Sequence, residues 1–142
     1  MKLLGIDHGN ARIGIAISDP LGMAARPLKI IRHVSRSLDA QEIFIAAVEN
    51  DCEGIVVGIP LDSEGNIGPR ARSVLRFVDE LKSISTLPVY TWDESNSTKK
   101  ALRASIARGE KKKNRKEAMD HHAAAFILQD YLDFLRQSEE SE

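Results

Sequence analysis

The chain has one cysteine, one tryptophan, two tyrosines and four phenylalanines among 142 residues. A lone Cys52 excludes an internal disulfide and offers no cysteine-based metal spacing, which points to a reducing cytoplasm. Its simplest role is that of a small buried apolar residue before a strand. With so few aromatics, Tyr90 and Trp92 are best read as core residues of a strand, and nothing indicates base-specific recognition. No apolar run approaches the length of a membrane span, and the N-terminus leads straight into a strand without a signal-peptide pattern. Net charge is also scarce, at −1. The charges are segregated, however: nine of the twenty Lys and Arg lie between Lys99 and Lys116, where Glu110 is the only acid. The tail holds Glu139, Glu140 and Glu142. Such segregation suggests a polyanionic partner that the net charge conceals.

What is present is an ordinary globular composition, 42% hydrophobic and 29% charged, which predicts a single domain over residues 1–136 and an acidic disordered tail over 137–142. The stretch from Lys2 to Asn10 reads as a short apolar strand ending in Asp7 and a Gly9-Asn10 turn. Ile13 to Ser18 then reads as the returning strand of a hairpin. Asp19-Pro20-Leu21-Gly22 is a turn, and Leu28 to Arg32 a third antiparallel strand. Ser37 or Asp39 is placed to cap a helix through about Asn50, with Glu42 completing a capping box after Asp39. Gly54 to Ile59 is apolar without alternation, as in a parallel strand covered on both faces.

After a long loop from Leu61 to Gly68, Pro69 suits the first turn of a helix bearing Ala71, Val74, Leu75, Val78 and Leu81. A strand from Leu87 to Trp92 ends in Asp93-Glu94, and Ser95 to Ser97 offer caps for a helix closed by Gly109. Lys111 to Lys116 read as a basic loop. A last helix begins near Lys116, with Ala124, Ile127, Leu128, Tyr131 and Leu135 on one stripe. The order βββαβαβαα gives an α/β fold with a mixed five-stranded sheet, three strands antiparallel and then two parallel, flanked by helices.

In such a sheet, sites form beyond the carboxyl ends of the parallel strands. Asp7 and Glu94 both end strands there, and Asp120 precedes Ala124 by one turn on the packing stripe of the last helix. Each has a plainer role: Asp7 in its own turn, Asp120 at a helix N-terminus whose dipole favours it. Together, three acids from separate segments suit Mg²⁺ or Mn²⁺ and phosphodiester cleavage. Asp62 and Glu64 are reserve acids. The flanking bases Lys99, Lys100, Arg103, Arg108, Lys111, Lys112, Lys113, Arg115 and Lys116, with Arg12 in the hairpin, would track a phosphate backbone; the plainer reading is a solvated lysine-rich loop. His8 is a metal neighbour, a proton carrier or polar filler of the turn. His121 and His122 face about 100° apart on a helix, so both cannot serve one site.

The combination of Gly5-Ile6-Asp7-His8-Gly9, Arg12-Ile13-Gly14-Ile15-Ala16 and Ser18-Asp19 resembles the YqgF/RuvX family of the RNase H-like nuclease superfamily, related to RuvC-type Holliday junction resolvases. So do Val56-Val57-Gly58-Ile59-Pro60-Leu61, Asp93-Glu94 with Ser97-Thr98, and Asp120 with Ala123-Ala124 and Ile127 to Leu132. The resemblance covers nearly the whole chain. It implies an RNase H-like fold, a Mg²⁺ or Mn²⁺ site at Asp7, Glu94 and Asp120, and a hydrolase acting on phosphodiester bonds. It further implies a role in maturing the 5′ end of 16S ribosomal RNA, with structured RNA and the ribosome or its precursors as partners. Cleavage of branched DNA as a Holliday junction resolvase is the alternative, and a non-catalytic RNA- or ribosome-binding module is a third reading. Actin-like ATPases and sugar kinases share the opening strand and Asp-x-Gly, but they need two such domains. Two residues depart from the family pattern: Ser95 stands where an arginine usually follows the motif glutamate, and His8 where a small or aliphatic residue is common.

Overall fold

The computed structural model describes residues 1–94 and 112–140, with the side chains of residues 122–139 in the last helix. Its elements are β1 (Leu3–His8), β2 (Arg12–Ser18), β3 (Ala25–Arg32), α1 (Arg36–Glu49), β4 (Gly54–Ile59), α2 (Pro69–Ile84), β5 (Val89–Asp93) and α3 (Lys112–Glu140). The strands form one sheet in the order β3-β2-β1-β4-β5. β1, β2 and β3 are antiparallel neighbours, whereas β4 runs parallel to both β1 and β5. This is the expected mixed sheet. The helix expected between Ser95 and Gly109 lies outside the described residues.

Alternation along each strand divides the core into two layers. Leu4 and Ile6 of β1 join Ile55, Val57 and Ile59 of β4 under α1 and α2. Leu3 and Val56 point the other way and pack with Ala124, Leu128, Tyr131 and Leu132 of α3. A strand buried on both faces cannot alternate in polarity, which is why β4 reads as an unbroken apolar run. Tyr90 and Trp92 pack around Tyr131, with ring centroids 5.8 and 5.7 Å away. Cys52 is buried before β4, as expected of a small apolar side chain.

The helix boundaries correct several expectations. The N-cap of α1 is Ser35, whose hydroxyl accepts from the Leu38 N–H at 3.2 Å, rather than Ser37 or Asp39. Asp39 is fully inside, accepting from the Val34 N–H at 3.0 Å and pairing with His33. It fastens the segment before the helix from within the first turn. β3 begins three residues earlier than predicted, at Ala25. There the Ala25 N–H is held by Gln129 Oε1 at 2.9 Å, a contact 104 residues away in sequence that no local pattern announces. α3 starts at Lys112, so Lys112 to Arg115 are helical rather than loop. It also runs through Glu140, over residues 137–140 of the expected disordered tail.

α3 lies very close to the sheet. A Cβ on Gly5 would stand 2.7 Å from Leu128 Cβ and 3.1 Å from the Ala124 carbonyl oxygen. On the neighbouring strand, a Cβ on Gly58 would stand 2.7 Å from Ile127 Cδ1. Two adjacent glycines thus form the seat of the helix. Gly5→Ala is therefore expected to lower unfolding stability by about 1–3 kcal/mol, the usual cost of overpacking, read as a lowered urea midpoint; an unchanged midpoint would show that the helix can lift without cost.

Candidate active site

Asp7 pairs with Gly14 across β1 and β2, and Gly14 in turn pairs with Ile30 of β3. These three positions form one row on the α3 face. Because Gly14 has no side chain, the row opens beside Asp7 into a cleft of about 210 Å³, also lined by Gly9, Asn10, Ala11, Arg12 and Arg70. Asp7 is half-buried at its edge.

Glu94 reaches the same place from the other side. It follows β5 directly, and its N–H donates to the Ile59 carbonyl at 3.1 Å, carrying the β4–β5 pairing one residue further. Its side chain lies over Gly58, where a Cβ would stand 2.7 Å from Glu94 Oε2. Glu94 as a whole is only 7% exposed. Burial, the negative charge of Asp7 and a hydrogen bond between the two acids push its pKa up to about 7, against the pull of the Arg70 guanidinium. With its pKa there, Glu94 still carries much of its proton just below neutrality unless a cation favours the ionised form. The arrangement fits a hard divalent ion, which prefers carboxylate oxygens.

Asp120 lies in α3 one turn before Ala124; its side chain is outside the described residues. The helix runs antiparallel to β1, with Leu132 beside Gly22 and with Leu128 and Ala124 over Gly5. The turn carrying Asp120 therefore comes toward the sheet edge where Asp7 stands. Lys99, Lys100, Arg103, Arg108 and Lys111 lie outside the described residues, as does Ser95. Lys112, Lys113, Arg115 and Lys116 are in the first turns of α3, with side chains outside the description. Arg12 opens β2 and lines the cleft.

The reserve acids serve their own loop. Asp62 Oδ1 accepts from the Glu64 and Asn66 N–H groups at 3.0 and 2.8 Å, and Glu64 is exposed. His8 points to the opposite face from Asp7, stacked on Phe77 with ring centroids 4.4 Å apart. Burial there holds its imidazole below the usual 6.5, with the charge of Asp39 opposing. His122 borders a separate hollow with Ala25, Pro27, Ala125, Phe126 and Gln129.

Sequence reasoning missed Arg70. The signal was available: a cation in the first turn of a helix opposes the macrodipole, and this helix starts just after the loop at the end of the central strand. A charge in that unfavourable place gains from a nearby carboxylate, and Arg70 favours the ionised form of Glu94.

A family model described as "RuvX: Holliday junction resolvase" matches residues 1–134. The chain belongs to this RuvX family. A relative from Ruegeria sp. named "Putative pre-16S rRNA nuclease" is 39% identical over 134 residues, covering 94% of this chain and 85% of the relative. A Clostridium botulinum relative of the same name is 39% identical over 135 residues, covering 95% and 98%. Among solved structures, Thermus thermophilus RuvC in complex with a Holliday junction substrate aligns at a TM-score of 0.59 and 17% identity, covering 96% of each chain. The Fowlpox virus resolvase with its junction DNA aligns at 0.57 and 13%, covering 95% and 99%. These two show the fold, RNase H-like as the RuvX motifs implied. Among the described residues no helix is long and apolar enough to cross a membrane.

The raised pKa of Glu94 has a thermodynamic consequence. A glutamate in an unfolded chain titrates near 4.5, but folded Glu94 holds its proton up to about 7. Between those values the folded state binds a proton that the unfolded state has released, so this pair's contribution to stability declines as pH rises through that window. In EDTA, the urea midpoint of the wild type should fall from about pH 5 to pH 8 more steeply than that of Glu94→Gln. Parallel pH profiles would contradict the shift.

Proposed function

We propose that this protein is a divalent-metal-dependent endonuclease that matures the 5′ end of the 16S ribosomal RNA precursor in the cytoplasm. The observation that carries this reading is the hydrogen-bonded carboxyl pair of half-buried Asp7 and buried Glu94 at the edge of an open cleft. Asp7, Glu94 and Asp120 are the residues that would hold Mg²⁺ or Mn²⁺. Such ions, when bound, activate water and stabilise the leaving oxygen of a phosphodiester.

The remaining work falls to the chain itself. Asp7 is placed by its pairing with Gly14 of β2, and Glu94 by the Ile59 carbonyl, so neither residue's backbone must be ordered when substrate arrives. Arg70 places a positive charge near both acids, where it would bind a non-bridging phosphate oxygen. Arg12 at the cleft, with Lys99, Lys100, Arg103, Lys111, Lys112, Lys113, Arg115 and Lys116 along the chain, would follow the backbone without reading bases. The preference for RNA is supported by the relatives' names. The resolvase description of the family and the RuvC-like fold support branched DNA as the competing substrate.

The test is cleavage of a 16S precursor carrying its 5′ extension beside a four-way DNA junction, with wild type and Asp7→Asn in Mg²⁺, Mn²⁺ and EDTA. We expect metal-dependent cleavage of the RNA, lowered about a hundredfold or more by Asp7→Asn, since even residues that merely orient metal ligands contribute 10–100-fold. Arg70→Ala should weaken cleavage while leaving the fold intact. Junction cutting alone would move the assignment to recombination. Binding of RNA by both proteins without cleavage of either substrate would make the chain a binding module.

A further inference from the structure

On the opposite face of the sheet, three side chains that the nuclease reading does not use converge. His8 ends β1, His33 follows β3, and Asp39 lies in the first turn of α1. One nitrogen of each imidazole and one carboxylate oxygen lie within 4.8 Å of one another. We propose that His8, His33 and Asp39 form a second metal site, for a zinc-class divalent transition ion.

The donor set decides the class of ion. Two imidazoles and one carboxylate suit Zn²⁺ and its neighbours rather than Mg²⁺, which favours oxygen donors and retained water. Three protein ligands leave a fourth position open. Tetrahedral donors around zinc stand about 3.3 Å apart, given bond lengths near 2.0–2.1 Å, so the set, all within 4.8 Å, would have to draw together around an ion. His33 already touches the Asp39 carboxylate. Asp39 is 1% exposed and its other oxygen is held by the Val34 N–H, the kind of support that orients a ligating carboxylate. The His33 backbone is tied to the β1–β2 turn by its N–H to the Ala11 carbonyl at 2.9 Å. His8 packs against Phe77 with the rings tilted by 30°, and the His33 ring is edge-on to it at 6.2 Å.

The His33–Asp39 pair alone would explain a clamp at the start of α1. It leaves His8 without a purpose, whereas a metal uses all three. A cleft of about 320 Å³ bounded by His8, His33, Ser35, Arg36 and Ser73 gives an ion its path in and room for the fourth ligand. Arg36 in that cleft selects an anion for the fourth position. Because successive strand residues face opposite sides, the site backs directly onto Asp7 without sharing a ligand with it. A bound ion would join the ends of β1 and β3 to α1 and stiffen the strand end that carries Asp7.

The experiment is a calorimetric Zn²⁺ titration with Co²⁺ absorption spectra on the full chain, using wild type, His8→Leu, His33→Gln and Asp7→Asn. Circular dichroism and thermal melting in EDTA establish that each variant is folded. We expect one tight Zn²⁺ per chain in wild type and Asp7→Asn, and at least tenfold weaker binding in His8→Leu and His33→Gln. Co²⁺ in the wild type should give the intense visible bands of a low-coordinate site, absent from either histidine variant. Should His8→Leu fail to fold, the partly exposed His33 carries the test through His33→Gln. Zn²⁺ binding as tight in the folded histidine variants as in wild type, or loss of that binding in Asp7→Asn alone, would overturn the proposal.

Discussion

Two carboxyl groups facing each other, one of them buried, resist ionising together, and the structure around Asp7 and Glu94 answers that constraint. Glu94 keeps much of its proton just below neutrality because it is buried and Asp7 repels a second negative charge. A divalent cation resolves the same conflict in another way, with two charges to offset two. An arrangement that is mildly costly when empty becomes a strong reason to bind an ion. Arg70 tempers the repulsion from outside the pair and leaves its charge turned toward the cleft.

The sheet exists in the form that this pair needs. Parallel pairing brings the ends of β1, β4 and β5 to one edge, and Glu94 extends that pairing by one hydrogen bond. Glycines clear the space: Gly14 beside Asp7, Gly58 under Glu94 and Ile127, and Gly5 beneath α3. Close seating of α3 then directs the turn bearing Asp120 toward the same edge. Strand alternation assigns the two faces different work, with Asp7 toward the cleft and its neighbour His8 toward Phe77 and the start of α1.

Much of this was legible in the chain because the signals were local. The hairpin, the unbroken apolar β4, Pro69 at the head of α2 and the stripe of α3 each follow from a period or a turn residue. That Asp7 and Glu94 meet was foreseeable because both sit at strand ends, which topology gathers together. What escaped depends on contacts distant in sequence. Asp39 looked like a cap, but its carboxylate is taken inward by Val34 and His33. β3 starts early because Gln129 reaches it from α3. The lysines at 112 and 113 looked like loop because charge runs often are, yet lysine is a good helix former. Arg70 had no motif to single it out; its place against the helix dipole was the one local signal.

The exchange of a proton for a cation at the Asp7–Glu94 pair is the claim on which the nuclease account stands. It is tested most directly by calorimetric titration of Mn²⁺ at about pH 6 in buffers of different ionisation enthalpy, with the wild type and Asp7→Asn. The account predicts release of up to about one proton per bound ion in the wild type, and loss of that binding in Asp7→Asn. Mn²⁺ binding with no proton release, or release unchanged in the variant, would contradict it.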